Sequence, residues 1–368
     1  MSIVTGATLR LPPEVGRRDF NVPEAARSAA FAAAYDRETL FYDAFATGRG
    51  VMLVGPSLRN LCPALKAAAI ACDGIPSKIR KITSRRRSDE VLLSAPKDPK
   101  ILSLKMDKFT ADLSLSACEE STFAGLNCSV IFNKNNDPAW IGDFARFHKR
   151  HQDLEGLLVV DNGSDAYPLE AIASELDTAG LTAFRVLSIP AKWGGLAIGS
   201  HKNDALFFQT AALNIARMRF LSRARAVLVC DLDELVLPNT RGRNVFDLAR
   251  RRFWGFTPIR GRNCYPVNGT EERRRHGDHR LRDPKQGLDS TKYCINPRGI
   301  LRGVGWDIHK PDFVSVDKAM DHRGMEFAHC VAITNGWKRD GSIGHRELVE
   351  DPALTNAMAD AFGETLPQ

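Results

Sequence analysis

Asp231, Asp233 and Glu234 fall within four residues, after the apolar run 226–230 and before the apolar stretch 235–237. Carboxylates at the end of a buried strand cost free energy unless something positive meets them. Side chains two apart on a strand share a face, so Asp231 and Asp233 can reach one ligand. Two hard oxygen donors so placed suit Mn2+ or Mg2+, ions usually shared between one or two carboxylates and a substrate's phosphates. Such an ion stabilises charge on a departing nucleoside diphosphate. By itself D-x-D is equally compatible with a solvated turn whose acids cap helices or pair with arginines.

A second acid closes a second apolar strand. In "GLLVVDNGS", Asp161 is followed by the polar turn Asn162-Gly163-Ser164. A turn of that kind can set a carboxylate against a nucleoside while backbone N–H groups face the ligand. The elements that must position both acids alternate. "CSVIFN" reads as a strand. Asp137-Pro138 starts a helix, with an acid cap and proline at the first helical position. Ile141, Phe144, Ala145 and His148 share one face of it. Leu169, Ile172 and Leu176 mark the next helix, "TAFRVLSI" the next strand, and Phe208, Ala211, Ala212, Ile215 and Met218 a helix within 201–220. Strands alternating with helices predict an α/β fold, with an open, mostly parallel, Rossmann-like sheet flanked by helices. Ligands of such sheets bind beyond the carboxyl ends of the strands, where Asp161 and Asp231 both lie.

Outside this stretch the pattern is less regular. Residues 1–24 read as an irregular arm. Residues 25–120 read as a small α/β accessory module, with a helix over 24–47 ending at Gly48, a buried strand from Gly50, a helix reaching Cys72, and amphipathic strands thereafter. Within it, Lys78–Arg87 reads as a solvated edge strand whose basic residues block further pairing. The catalytic domain is expected over 125–345. Beyond 253 short strands flank a charged insert, 271–287, expected to be a mobile loop, and 346–368 forms a C-terminal helix and tail starting at Asp351-Pro352.

The net charge of +7 favours anionic ligands. No nucleic-acid-binding motif stands out, so nucleic acid is not an expected partner. Eight cysteines without a C-x-x-C pair read as reduced thiols of a cytoplasmic protein. No stretch approaches the roughly 18 apolar residues of a membrane span, so contact with the inner face of a membrane would be peripheral at most.

The stretch Val130–Ser164, "VIFNKNNDPAWIGDFARFHKRHQDLEGLLVVDNGS", resembles the opening of family 92 and related family 2-type glycosyltransferases. Lys134, Asn135, Asp143, His148, Asp161, Asn162 and Ser164 carry the likeness; Asn136 stands for the usual Glu and Phe144 for the usual Trp. "FFQTAALNIARMRFLSRARAVLVCDLDELVLP" resembles the family's glutamine-bearing helix and D-x-D-E strand through Gln209, Asp231, Asp233 and Glu234. "KYCINPRGILRGVGWDIHKP" resembles its lysine–proline–histidine stretch through Lys292, Pro297 and His309. The resemblance spans about 129–340. It implies a GT-A fold, a nucleotide-sugar donor (a UDP-sugar first), Mn2+ or Mg2+, and a glycan or lipid-linked acceptor, in polysaccharide or glycoconjugate assembly. Asp161 would contact the nucleoside, Asp231 ribose or metal, and Asp233 the metal, with His309 or His329 as a further ligand. Asn135 and Gln209 fall on the donor side, and Lys192 in "PAKWGG" could face donor phosphate.

An inverting transferase needs a general base on the acceptor side. Asp307, Asp321 and Glu326 are the candidates, and Asp307 is taken first because Trp306 beside it could form a sugar platform, although a buried aromatic is the simpler role for that residue. Two other functions fit parts of the pattern. In a haloacid-dehalogenase-type phosphatase Asp231 would attack phosphorus, but Leu235 stands where that D-x-D-x-T loop needs a hydroxyl. A non-catalytic carbohydrate-binding relative would keep the fold without turnover.

Overall fold

A computed structural model describes residues 2–107, 109–239, 242–267, 274–288, 290–315, 325–334 and 347–363. Its centre is an open 11-stranded sheet. Five neighbours are parallel, in the spatial order Ile3–Thr5, Ala183–Ser188, Gly156–Asp161, Asn127–Asn133 and Ala226–Val229. The sheet continues antiparallel through Ser290–Ile295, Phe256–Pro266, His279–Arg282 and Val349–Glu350. Glu326–Cys330 joins Phe256–Pro266 in parallel and carries Glu234–Val236 on its other side. The fold is thus the α/β sheet flanked by helices that the alternating pattern predicts.

Strand order sets where the two acidic strand ends meet. From Asn127–Asn133 the chain steps outward through Gly156–Asp161 to Ala183–Ser188, then crosses back to lay Ala226–Val229 on the opposite side of Asn127–Asn133. The two directions diverge between Asn127–Asn133 and Ala226–Val229, the switch point where open α/β sheets bind ligands. Asp161 pairs with Asn133, while Asp231 leaves the sheet two residues past Val229, the partner of Val130. Both acids emerge at the same edge.

Helices hold the sheet from both faces. Pro138–Gln152 starts as read, with Asp137 accepting from the Ala139 N–H. Its buried stripe includes Ile141, Phe144 and Phe147, which pack with Val159, Leu228 and Leu235. On the other face every residue of Phe207–Ile215 is buried. Phe208, Ala212 and Ile215 share a core with Val130, Val160 and Val229, and also with Tyr42, Phe45, Met52 and Val54 from the N-terminal region. Pro352–Phe362 is the C-terminal helix, capped by Asp351.

The N-terminal region differs from the reading in four places. The helix expected over 24–47 is confined to Ala29–Ala34, after a short turn at Glu24–Ala26. Thr39–Phe41 and Asp43–Thr47 are strands instead. Their Thr and Phe residues favour a pleated surface, and pairing with Gly50–Pro56 outweighs the alanine-rich composition. The second helix stops at Ala67, and Ala69–Cys72 pairs with Ile101–Met106. The segment read as an irregular arm contains Ile3–Thr5, an edge strand of the main sheet. Ile79–Ser84 does lie on a sheet edge, but Arg85 and Arg87 at the end of that basic run turn inward into ion pairs.

The charged insert is also fixed where it is described. His276 and His279 are fully buried. Arg275 binds Asp143 at 2.5 Å, and His279–Arg282 is a strand. Residues 271–273 lie outside the described residues. All eight cysteines are free thiols, six of them buried. Among the described residues no helix is long and apolar enough to cross a membrane.

Candidate active site

The acidic turn is clamped from four directions. His148, buried on the first helix, donates from Nδ1 to the Phe144 carbonyl at 3.0 Å, so its bare Nε2 accepts from the Val236 N–H at 3.1 Å. Burial depresses this imidazole to about 3, which keeps it neutral and in that tautomer. Gln152 donates to the carbonyls of Val236 and Leu237 and accepts from Val245. His276 donates from Nε2 to the Leu232 carbonyl, and Cys330 N–H donates to the Asp233 carbonyl at 2.7 Å. The backbone of 232–237 is held from outside, which frees its side chains for other partners.

Two cations meet those side chains. Lys292, only 2% exposed, places Nζ 2.6 Å from Asp231 Oδ2 and 3.2 Å from Glu234 Oε2. Burial works to neutralise this lysine, but the charges of Asp231 and Glu234 outweigh it and its pKa rises. Glu234 Oε2 also accepts from the Asp231 N–H at 2.8 Å. Burial pushes the Glu234 carboxyl up to about 7; Lys292 opposes that rise while Asp231 and Asp233 add to it. On the other side His329 Nε2 donates to Asp233 Oδ2 at 3.1 Å, and Thr334 Oγ1 lies 3.3 Å from the same oxygen. Burial alone would lower His329, yet the Asp233 charge raises it to about 9, and the imidazolium in turn holds Asp233 below the ordinary carboxylate range. Asp231 stays 39% exposed on its side chain.

His309 lies on the Lys292 side. Its Nδ1 is 3.0 Å from the Thr291 carbonyl, and the charges of Lys292 and Asp231 reach it. Asp307 belongs to the same loop and is tightly engaged. Its Oδ1 accepts from Arg87 Nη2 at 2.5 Å, Thr210 Oγ1 at 3.1 Å and the Ile308 N–H at 2.8 Å. Burial would raise this carboxyl, but the Arg87 guanidinium holds it low. Trp306 is 1% exposed, and its backbone N–H donates to Asn214 Oδ1, so it serves as core, not as an open sugar platform. Gln209, next to Thr210, is buried. Of the other base candidates, Glu326 pairs with Arg262 at 2.7 Å, and Asp321 lies outside the described residues.

The second acidic strand end forms its own network. Asp161 is fully buried; Oδ1 accepts from Asn133 Nδ2 at 2.7 Å and Ser164 Oγ at 2.5 Å, and Oδ2 from the Ser164 N–H. Asn135, at φ +54°, accepts from the N–H groups of Asp165 and Ala166 and donates to Asp165 Oδ1. Gly163 sits at φ +72°, and a Cβ there would lie 2.9 Å from Pro190 Cβ, so glycine is required. Asp161 and Asn135 thus shape the 161–166 turn at the mouth of the site. Lys192 is exposed, with Nζ 3.5 Å from the Tyr35 carbonyl, and follows Ala191, whose N–H donates to Asn162 Oδ1 in the same turn.

The structure therefore brings together Asp231, Asp233, Glu234, Lys292 and His329 by direct contact, with His309 beside them. Among the described residues no three His, Cys, Asp or Glu side chains are grouped to hold a metal ion on their own. Lys292 as the countercharge, and Gln152 and His276 as the clamps, were not anticipated. A lone lysine entering the apolar run Tyr293–Ile295 was the available signal, because a buried lysine needs an acid. Gln152 and His276 carried none, since their partners are backbone groups far away in sequence.

No family model and no curated protein matches the chain. Solved structures show a partial likeness, three of them as follows. The WbbM bifunctional glycosyltransferase, apo, is 13% identical over 45% of this chain and 27% of that one, with a TM-score of 0.29. The mannosyltransferase PcManGT from Pyrobaculum calidifontis, in complex with GDP-Man and Mn2+, is 13% identical over 52% and 50%, with a TM-score of 0.28. The galactosyltransferase LgtC, in complex with donor and acceptor sugar analogues, is 16% identical over 49% and 60%, with a TM-score of 0.27. The chain spans less than two thirds of each. Likenesses this distant assign neither family nor activity.

Proposed function

We propose that the chain is a GT-A-type glycosyltransferase that moves a sugar from a nucleotide-sugar donor to a hydroxyl acceptor. The observation that carries this reading is the D-x-D-E turn at the switch point of a parallel sheet, with Lys292 and His329 closing on its carboxylates. Acids and cations interleaved at such an edge suit a dianionic diphosphate and its counterion.

The donor set fits a divalent ion. Asp231 is part exposed and engages Lys292 through Oδ2 alone, and both partners of Asp233 are on its Oδ2. Asp231 and Asp233 would hold Mn2+ or Mg2+ jointly with phosphate oxygens, with His329 orienting Asp233 and His309 near the Asp231 side. The ion's contribution when bound is Lewis-acid stabilisation of the leaving diphosphate. Lys292 fixes Asp231 and supplies a permanent positive charge beneath the site. The 161–166 turn, shaped by Asn135, Asp161 and Ser164, offers backbone groups to the nucleoside. Gln209, buried beside Thr210, would be a donor-side contact. Asp307, held ionised by Arg87, is the acceptor-side carboxylate and would take the proton from the attacking hydroxyl.

The test is a thermal-shift panel of UDP, GDP, CMP and ADP with and without Mn2+, on wild type and Asp233→Asn. One nucleoside diphosphate should stabilise the wild type in a metal-dependent way, by about 2.7 kcal/mol at a hundred times its Kd, and Asp233→Asn should abolish the effect. No shift with any nucleotide at saturating concentration overturns the proposal, and hydrolysis of a simple phosphoester that needs Asp231 would replace it with the phosphatase.

A further inference from the structure

The opposite end of the sheet carries a second surface. Ile295 pairs with Val227 near the amino end of its strand, so the residues after Ile295 lie at the rim away from Asp231. Along Ser290–Ile295 that rim is about 13 Å from Lys292, at 3.3 Å per residue. Two chain segments meet there. Gly255, which ends the run Arg250–Trp254, accepts at its carbonyl from the Asn296 N–H at 2.7 Å. A Cβ on Gly255 would lie 3.3 Å from Asn296 Cβ and 3.7 Å from Gly299 Cα, so the segments are in close contact.

Three large apolar side chains project from this rim: Phe253 is 78% exposed, Trp254 57% and Ile300 56%. The two rings pack edge to face with centroids 5.1 Å apart. Arginines surround them. Arg251, Arg298 and Arg302 are exposed and pair with no carboxylate among the described residues. Arg225, Arg250, Asn296 and Arg298 line a pocket of about 340 Å³, and Arg298 and Arg302 line a neighbouring one of about 450 Å³. The acids nearby, Glu155 and Asp247, face Arg225 and Arg250 at 3.2 and 3.7 Å and leave the other three arginines uncompensated.

We propose that this rim docks the protein on an anionic phospholipid surface. Aromatic side chains with an apolar body favour the headgroup boundary, and arginines beside them meet lipid phosphates. A soluble polyanion would engage the arginines but leave Phe253, Trp254 and Ile300 in water. A second copy would bring an equally basic rim against this one, on a chain of net charge +7. The acidic turn sits at the other end of the same strands, so docking presents the site of the proposed transfer away from the bilayer, toward an acceptor reaching beyond the headgroups. The docking itself does not depend on the transferase reading, because it is measured without donor.

The experiment is flotation of the full chain with vesicles of phosphatidylcholine alone and of phosphatidylcholine with about one third phosphatidylglycerol. Wild type should float with the anionic vesicles only, less so as salt rises. Arg298→Gln with Arg302→Gln should weaken partitioning about 25-fold, at about five-fold per arginine. Phe253→Ser with Trp254→Ser should weaken it about ten-fold or more through lost apolar burial. Trp254 fluorescence should shift to shorter wavelength on vesicle addition, and Trp254→Phe should lose that shift. All of these side chains are exposed, so unchanged melting temperatures serve as the folding control. Equal flotation with both vesicle types, or wild-type flotation of both double variants, overturns the proposal. So does self-association abolished by the Phe253 and Trp254 changes, or arginine-dependent binding of a soluble polyanion, if vesicles are not bound.

Discussion

Replacing Lys292 by methionine keeps most of the side chain's length and removes the cation in direct contact with both Asp231 and Glu234, at 2.6 and 3.2 Å. Breaking a buried pair in this way costs about 3–5 kcal/mol, because the surviving charge stays desolvated. The cost falls chiefly on Glu234, whose side chain is 4% exposed, since Asp231 at 39% recovers water. Glu234 can escape by taking a proton. Burial already pushes it up to about 7 against the pull of Lys292, and without Lys292 it rises further. A carboxyl whose folded pKa lies above its unfolded value loses stability as pH climbs from the unfolded to the folded value. In wild type that loss ends near pH 7; in the variant it continues above. The gap between the two should therefore widen above about pH 7, by about 1.4 kcal/mol for each unit that the folded pKa has risen. At about 2.1 cal/mol/K per residue, a 368-residue chain has an unfolding entropy of about 0.8 kcal/mol/K. The expected fall in Tm is then about 4–6 °C near pH 8 and smaller near pH 6. Calorimetry in chelator-treated buffer reads it directly, and adding Glu234→Gln should restore most of the loss. A variant that melts with the wild type near pH 8, or a gap that does not change with pH, refutes this account of the charges.

Two further outcomes follow from neighbouring contacts. Asp233 raises His329 to about 9 in the folded state, above the ordinary value, so its contribution to stability is full below about pH 6.5 and lost as pH rises through 9. NMR of the His329 ring in metal-free buffer should show it protonated at neutral pH, and Asp233→Asn should lower its titration, because its largest raising partner is gone while the burial that lowers it remains; titration near 6.5 in wild type would contradict the pairing. Arg87→Met removes the cation that holds Asp307 low, and Arg87 is buried. Stability should fall by about 2–3 kcal/mol, the acid limb of kcat/KM should move to higher pH, and Arg87→Lys should partly restore both; an unmoved acid limb with the same stability loss would leave Arg87 a purely structural role and remove Asp307 as base.

Much of the sheet was legible because both of its signals are local. The Asp137-Pro138 cap, the helical stripe at Ile141 and Phe144, and the apolar strands ending at Asp161 and Asp231 needed no distant partner to be read. The N-terminal region failed where tertiary pairing overrode composition: the alanines of 29–34 make a helix, but the aromatics after them close onto Gly50–Pro56 as strands. The insert after 270 was read as mobile because it lacks apolar periodicity. From residue 274 its order comes from ion pairs and buried histidines instead, Arg275 on Asp143 and His276 on the Leu232 carbonyl. Charge alone identified the acidic turn; which cation answers it depended on strand register, and Lys292 reaches Asp231 only because Ser290–Ile295 runs antiparallel beside Ala226–Val229.

The same dependence on distant partners ties the N-terminal region to the loop that carries Asp307 and His309. Arg85 binds Glu90 through two nitrogens at 3.1 Å and reaches Asp312 at 3.3 Å, while Arg87 holds Asp307. These contacts grip the loop that carries Asp307 and His309 at both ends. Arg217 and Arg219, just past the buried helix Phe207–Ile215, answer from the other side by pairing with Glu90 at 2.9 Å and Asp43 at 2.8 Å. Arg219 and Asp43 are both almost wholly buried, so this joint is not a surface contact that solvent can loosen. Together with the shared apolar core around Phe45 and Phe208, it makes the first hundred residues part of the wall that fixes the loop carrying Asp307 and His309. Changes there should alter the position of Asp307 before they touch the acidic turn, which is clamped independently by His148, Gln152 and His276.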